Sequence, residues 1–286
     1  MKRTLFQTTI LVFVTLLFLS ACSIKTVYNN LDWVLEGMVD DYISLSETQE
    51  QDVERQVAQL MKWHKATQLT EYANDFKAIK AFTAKGIDDE SAEIIFATFM
   101  KRWNSMKEKV APEMADLFLT LSDKQIEELF ARLEEENKEV DEKYKETTEQ
   151  EKIELGGEKL IDSFSDWLGP LNDEQKRVLK SWPQRFKPTH EDRVNFRIKW
   201  QAALKQVLVS DEMNEDKRAQ LIAMVETPSD YQSEEHRKKL VYNSKQIKEL
   251  IITFEHTVTS EQKKHLAERL DYFISNFEEL AAEAEE

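Results

Sequence analysis

Apolar residues recur every three or four positions along most of this 286-residue chain, which is the spacing that places side chains on one face of an α-helix. The pattern predicts a first helix over about residues 25–43, a second from Ser46 to about Thr67, and a third capped by Thr70. Pro112 fits the first turn of a short separate segment, and Gly156-Gly157 indicates a break. We therefore predict an all-α protein, an elongated multi-helix bundle of about eleven helices with no sheet.

Four helix starts share one local signal, the capping box. In it a Ser, Thr or Asn side chain accepts the backbone N–H three residues on, and the Gln there reaches back to the cap N–H. The pattern resembles the Leu-Thr-x-x-Gln motif of the Spy-type periplasmic chaperones, helical proteins that cradle unfolded clients, although capping alone also produces it. The uneven spacing of the starts, at 46, 122, 172 and 259, argues against a solenoid. The four boxes are Ser46-Glu47-Thr48-Gln49, Ser122-Asp123-Lys124-Gln125, Asn172-Asp173-Glu174-Gln175 and Thr259-Ser260-Glu261-Gln262, preceded by Leu45, Leu121, Leu171 and Val258.

Composition supports the helical prediction. The chain has only five Gly and five Pro, well below the usual ~7% and ~5%, whereas hairpin-rich β folds need many turn residues. Gly169-Pro170 is the clearest helix stop. It divides a mature N-terminal helical part, residues 22–168, from a C-terminal part, residues 169–286, and we expect the two to form one continuous helical domain.

The N-terminus carries a targeting signal. Lys2 and Arg3 precede an apolar run over residues 10–19, half of the ~20 residues that a spanning helix needs. Leu19-Ser20-Ala21-Cys22 follows and resembles the lipobox of bacterial lipoproteins. The resemblance implies a signal peptide over residues 1–21, acylation of Cys22 as the only cofactor-like group, and, with Ser23 rather than Asp after the Cys, the periplasmic face of the outer membrane.

Cysteine content and charge exclude several classes of protein. Cys22 is the single cysteine, so disulfides, a thiol nucleophile and Cys metal ligands are excluded from the mature chain. Removing Lys2 and Arg3 leaves 37 of the 39 basic side chains against 55 acids, a net charge of −18. Such a chain repels phosphate backbones, so we expect no nucleic-acid partner.

One segment reverses this charge. Residues 175–208 hold nine basic side chains and two acidic ones, a net charge of +7. One interpretation is a patch for an anionic partner such as a lipid head group, lipopolysaccharide or an acidic peptide. The other is internal packing against residues 134–159, which hold eleven acids and five Lys. The candidate patch residues are Arg185, Lys187, Arg193, Arg197 and Lys199.

No sequence motif indicates catalysis. The five His lack metal-ligand spacing, and there is no nucleophile elbow, phosphate-binding Gly loop or dinucleotide fingerprint. Asp40, Asp41 and His64 form a candidate polar cluster, for which a salt bridge is the simpler explanation. We predict that the protein is not an enzyme and holds no metal. A pocket joining Asp40, His64 and an Arg would reverse that prediction.

Several residues together resemble a family of proteobacterial lipoproteins known only as a domain of unknown function. The resemblance implies an α-helical envelope lipoprotein and supplies no ligand or catalytic residue. Thr70 stands where that family is expected to have Pro, and both residues start helices. The residues that carry the resemblance are Cys22, Tyr28-Asn29, Asp32, Asp40-Asp41-Tyr42, Trp63-His64, Gln68-Leu69, Tyr72, Asp166-Trp167-Leu168, Leu171 and Gln175.

The sequence supports two hypotheses of function. The first is an outer-membrane-tethered, non-enzymatic helical protein that binds another envelope component, a protein, through a helical face in a scaffold or chaperone-like role. The alternative is binding of an anionic lipid or glycolipid through residues 175–208. Its partners are then the membrane, through the anchor, and one envelope component.

Overall fold

The computed structural model describes residues 24–284, and within them every regular element is a helix, which confirms the all-α fold. Eleven of the α-helices have nine or more residues. The predicted signal peptide, residues 1–21, and Cys22 lie outside the described residues. The helices are α1 (Ile24–Tyr28), α2 (Leu31–Asp40), α3 (Glu47–Trp63), α4 (Leu69–Lys85), α5 (Asp89–Leu119), α6 (Asp123–Glu146), α7 (Glu149–Leu168), α8 (Asp173–Ser181), α9 (His190–Val209), α10 (Asn214–Glu226), α11 (Glu234–Glu255) and α12 (Ser260–Ala282).

The chain divides into two compact units, each assembled from three separate stretches. Unit 1 comprises residues up to Lys65, Trp103–Tyr144 and Asp192–Gln232, and unit 2 comprises Ala66–Arg102, Lys145–Glu191 and Ser233–Glu286. Each unit therefore draws on sequence from both sides of Gly169-Pro170. The predicted division into residues 22–168 and 169–286 stays a prediction about how the chain folds.

The core of unit 1 lies between α5, α6, α9 and α10. Ala115 on α5 is fully buried, and its small side chain lets the larger residues of the other helices pack close by. Trp200 borders this core and donates its Nε1–H to the backbone oxygen of Met224 at 3.0 Å. The buried members are Ala115, Ile126, Leu204, Val207, Leu208, Leu221 and Met224.

The core of unit 2 contains two adjoining groups. One surrounds Trp182, which is buried and donates its Nε1–H to the backbone oxygen of Gln246 at 3.1 Å. The other is aromatic: Trp167 stacks on Phe273 at 5.4 Å between ring centroids, and Phe76 meets the edge of Phe277 at 5.5 Å. The buried members around Trp182 are Leu168, Leu171, Leu179, Leu250 and Phe254.

A buried ion pair crosses between α4 and α5 in unit 2. Arg102 Nε lies 2.7 Å from Oδ2 of Asp75, and its second nitrogen donates to Oδ1 at 2.9 Å. Glu71 adds a contact at 2.6 Å. This bidentate arrangement satisfies a guanidinium that is 10% exposed.

All four predicted capping boxes form, and they meet in pairs. In unit 1, Gln49 Nε2 donates to both oxygens of Thr120, two residues before the second cap, at 3.1 and 3.0 Å. Gln125 Nε2 donates in return to the backbone oxygen of Ser44, two residues before the first cap, at 2.9 Å. The two amides also bond each other, at 2.7 Å in the shorter direction.

Unit 2 repeats this arrangement residue for residue. Gln175 Nε2 donates to the backbone oxygen of Thr257 at 2.9 Å, and Gln262 Nε2 donates to that of Pro170 at 2.9 Å. The amides of Gln175 and Gln262 bond each other at 2.9 and 3.0 Å. Capping alone needs no such tertiary bond, so each pair of boxes is a structural junction as well as two helix starts.

Four predicted helix boundaries are wrong. The helix predicted over residues 25–43 is broken at Asn29-Asn30, where the Asn30 side chain bonds the backbone oxygen of Thr26. Thr70 caps nothing, because α3 continues through a π-helical turn, His64–Gln68, into α4. Pro112 lies inside the continuous α5.

The predicted break at Gly156-Gly157 is also absent. The two glycines serve helix packing instead. Both glycines lie inside α7, and a Cβ on Gly157 would come 2.8 Å from Cα of Lys180. The glycines therefore let α8 approach α7 closely rather than end the helix.

Candidate functional site

The basic segment predicted as one patch is divided between the two units. Its later cations lie on α9 in unit 1, where α9 runs against α6: Asn137 bonds Gln201 at 2.6 Å, and Lys205 Nζ lies 5.3 Å above the Phe130 ring. Burial lowers the pKa of Arg197, the charge of Arg193 lowers it further, and Glu136 opposes both. Arg193 and Arg197 thus face α6, while Lys199 is exposed.

The earlier cations lie in unit 2 and point to solvent. Arg185 places its guanidinium 4.0 Å from the centroid of the Trp182 ring, and Lys187 Nζ lies 4.6 Å from that of Tyr242. Asn243 fixes the backbone of Lys187 by bonding both its N–H and its oxygen at 2.8 Å. The exposed members are Lys176, Arg177, Lys180, Arg185 and Lys187.

These contacts join Lys187 to α11, which carries a second basic stretch. Residues 236–248 of α11 hold five basic side chains and no acid, as do residues 175–187. Acids border the stretch: Glu234 pairs with Arg237 at 3.2 Å and Lys238 at 3.7 Å, and Glu93 pairs with Lys248. We call the exposed cations of the two stretches the basic surface of unit 2; its α11 members are Arg237, Lys238 and Lys245.

An exposed apolar patch lies on α11 within its basic stretch. Val241 is 72% exposed, and its neighbours Leu240 and Tyr242 are exposed too. Lys238 and Lys245 stand three residues before and four residues after Val241, so they flank it on the same helix face.

Phe99 and Met100 on α5 are two further exposed apolar side chains of unit 2, at 44% and 56%.

The predicted polar cluster of Asp40, Asp41 and His64 is arranged differently. His64 Nδ1 bonds the Tyr28 hydroxyl at 2.9 Å, and burial lowers the pKa of His64 to about 4, so its imidazole is neutral near pH 7. Asp40 and Asp41 are exposed at the end of α2. A neutral imidazole offers these carboxylates no charge to pair with.

Sequence reasoning missed a polar group next to them. Burial and the nearby Glu136 carboxylate raise the pKa of the Tyr42 hydroxyl, and the charge of Arg132 opposes that rise. It also missed the α11 cations and the exposed patch of Leu240, Val241 and Tyr242. The acid-free run 236–248 was a visible signal for the cations, whereas exposure of the patch depends on which face of α11 the rest of unit 2 covers.

Residues 24–284 contain neither a metal-binding cluster of side chains nor a membrane-spanning helix. No group of three or more His, Cys, Asp or Glu side chains in that range is arranged to hold a metal ion. No helix formed by these residues is both long and apolar enough to cross a membrane.

Comparison with known proteins identifies a family. Residues 41–237 match the sequence profile of a family of unknown function, DUF6279. Neither a curated protein nor a solved structure matches the chain.

Proposed function

Because the chain belongs to the DUF6279 family, whose function is unknown, its role has to be argued from its own residues, and we propose that it is a lipid-anchored helical protein of the bacterial envelope that binds a protein partner without catalysis. The anchor is Cys22, at the end of the lipobox-like Leu19-Ser20-Ala21-Cys22. Its proposed address is the periplasmic face of the outer membrane.

The observation that carries the binding role is the exposed apolar patch beside the basic surface of unit 2. Covering Leu240, Val241 and Tyr242 removes apolar area from water, which contributes roughly 25 cal/mol per Å² buried. Surrounding cations favour an acidic partner and steer its approach. A protein segment with both apolar and acidic side chains fits this combination.

The binding role is tested by crosslinking in cells. A photo-crosslinking residue placed at Val241 of the full chain should form discrete protein adducts, whereas one placed at the exposed Lys264 on α12 should not. Reversing charge with Lys238→Glu and Lys245→Glu should remove the Val241 adducts. Equal labelling at both positions, or none at Val241, would contradict a protein site there.

A second candidate is an anionic lipid or glycolipid at the same surface. It is favoured by the two acid-free runs, 175–187 and 236–248, whose long side chains can each approach a phosphate. The same probe at Val241 distinguishes it, because the adduct would then carry the mass of a lipid.

Two pairs of charge reversals should affect this candidate differently. Arg185→Glu with Lys187→Glu should weaken lipid labelling, since both side chains are exposed. Arg193→Glu with Arg197→Glu should act instead through folding of unit 1, where these arginines face α6. Lipid labelling that survives reversal of Arg185 and Lys187 would exclude the candidate.

A further inference from the structure

Helix α2 turns its largest apolar side chain outward. Trp33 is 75% exposed, Val34 beside it is also exposed, and α2 has no buried residue. One turn after Trp33, a Cβ added to Gly37 would meet nothing within 4 Å. The face that carries Trp33 and Gly37 is therefore open.

The less exposed positions of α2 are mainly apolar: Leu31, Leu35, Met38 and Val39 are partly exposed. A surface helix turns its apolar stripe inward and its charged side chains outward. On α2 the apolar residues extend beyond that stripe, because Trp33 and Val34 are exposed together with Asp32 and Asp40. This arrangement leaves apolar surface for something outside the unit.

The start of the described chain is fixed close to this open face. Ile24, two residues after Cys22, is buried, and Tyr28 is buried and bonded to His64. Nine residues separate Ile24 from Trp33, in two short helices and one turn, so the two lie at most about 20 Å apart. Any membrane that holds Cys22 is therefore present at high effective concentration near Trp33.

We propose that the face of α2 centred on Trp33 rests in the head-group layer of the membrane that holds the acyl chains of Cys22. The inference rests on the proposed lipid anchor. Tryptophan favours this layer because its ring is apolar and its N–H can bond to head groups or water. Residues 31–41 hold four carboxylates and no cation, so the membrane surface that fits is zwitterionic rather than strongly anionic.

The test uses the full lipoprotein, purified with its lipid and inserted into nanodiscs of zwitterionic phosphatidylcholine brominated near the head group. Bromine quenches tryptophan emission at short range, so we expect the wild type to be quenched and Trp33→Phe to lose most of that quenching. Trp200→Phe, which removes an indole bonded within the core of unit 1, should keep the wild-type loss. Replacing most of the lipid by phosphatidylglycerol brominated at the same position, so that the bromine content is unchanged, should weaken the quenching.

The outcomes separate this inference from the anchor. Mass spectrometry of the Cys22 peptide reports acylation independently, and a chain without acyl groups overturns both proposals. Acylated chain whose quenching is unchanged by Trp33→Phe overturns only the membrane contact of α2 and leaves that face to a protein. Quenching that is stronger with phosphatidylglycerol would overturn the choice of a zwitterionic surface.

Discussion

The two glutamine junctions have the same hydrogen bonds in different surroundings. In unit 2, Gln175 is 0% exposed and Gln262 is buried, so protein atoms supply all the partners that these amides have. In unit 1, Gln49 is buried but Gln125 is partly exposed, so water can replace bonds that a substitution removes. The same motif should therefore be far more costly to lose in unit 2.

The Arg–Asp pairs repeat this difference. Arg102 donates two hydrogen bonds to Asp75 in unit 2, and Arg218 donates two to Asp116 in unit 1 through the same two nitrogens. The side chains of the first pair are 10% and 17% exposed, and those of the second are 41% and 44% exposed. Geometry alone does not fix what an interaction contributes; access of water does.

The largest effect expected is for Asp75→Ala. Losing this carboxylate leaves a buried guanidinium with only Glu71, which should lower the stability of unit 2 by about 3–5 kcal/mol. Asp116→Ala is the matched control, and we expect no measurable change in unit 1. Hydrogen exchange in increasing urea, read peptide by peptide, reports each unit separately. Equal losses from the two variants would show that burial is not what distinguishes these pairs.

Gln175→Ala should follow in size. The substitution leaves the Gln262 amide and the Thr257 backbone oxygen without a hydrogen-bond partner in a site closed to water. Each such buried group should lower the free energy of unfolding by about 1–3 kcal/mol. Gln49→Ala in unit 1 removes the equivalent bonds and should cost less than half as much. The comparison fails if Gln49→Ala is the more destabilising of the two in the same exchange measurement.

His64 should be an exception to the rule that the costly buried polar groups lie in unit 2, because it is a buried titratable group in unit 1. The unfolded chain binds a proton on His64 below pH 6.5 and the folded chain only below about pH 4. Between these values the unfolded state holds more protons, so stability falls as the pH drops, by about 2 kcal/mol from pH 7 to 5. His64→Phe should lack this contribution, visible as a shallower pH dependence of unfolding; an identical slope would exclude it.

The smallest effect expected concerns glycine. In unit 2, Gly157→Ala drives a Cβ against the backbone of Lys180, and overpacking exceeds the gain in helix propensity by about 1 kcal/mol. In unit 1, Gly37→Ala enters open space and should stabilise α2 by up to about 1 kcal/mol. Opposite signs in thermal unfolding are expected; a stabilising Gly157→Ala would show that α8 yields to the added methyl group.

Local patterns predicted the helices better than they predicted where the helices end. Capping is a matter of four consecutive residues, so all four boxes were visible in the sequence, whereas the bonds from Gln49 to Gln125 and from Gln175 to Gln262 are tertiary. Pro112 and Gly157 were expected to break helices by propensity. The helix around Pro112 buries Ala111 and Ala115 completely, and Gly157 lies against α8, so tertiary packing outweighed that preference.

Only part of the candidate site could be predicted from the sequence, for a similar reason. Charge counting found residues 175–208, but it could not divide them between a solvent-facing stretch in unit 2 and Arg193 and Arg197 facing α6 in unit 1. The exposed patch around Val241 depends on which face of α11 the rest of unit 2 leaves uncovered, and charge counting does not report that.

The glutamine junctions also bear on the surroundings in which the protein is proposed to work. An ion pair weakens when salt screens it or when acid protonates its carboxylate. The amides of Gln49, Gln125, Gln175 and Gln262 carry no charge and do not titrate. Helix junctions built from neutral amides would hold with equal strength through those changes.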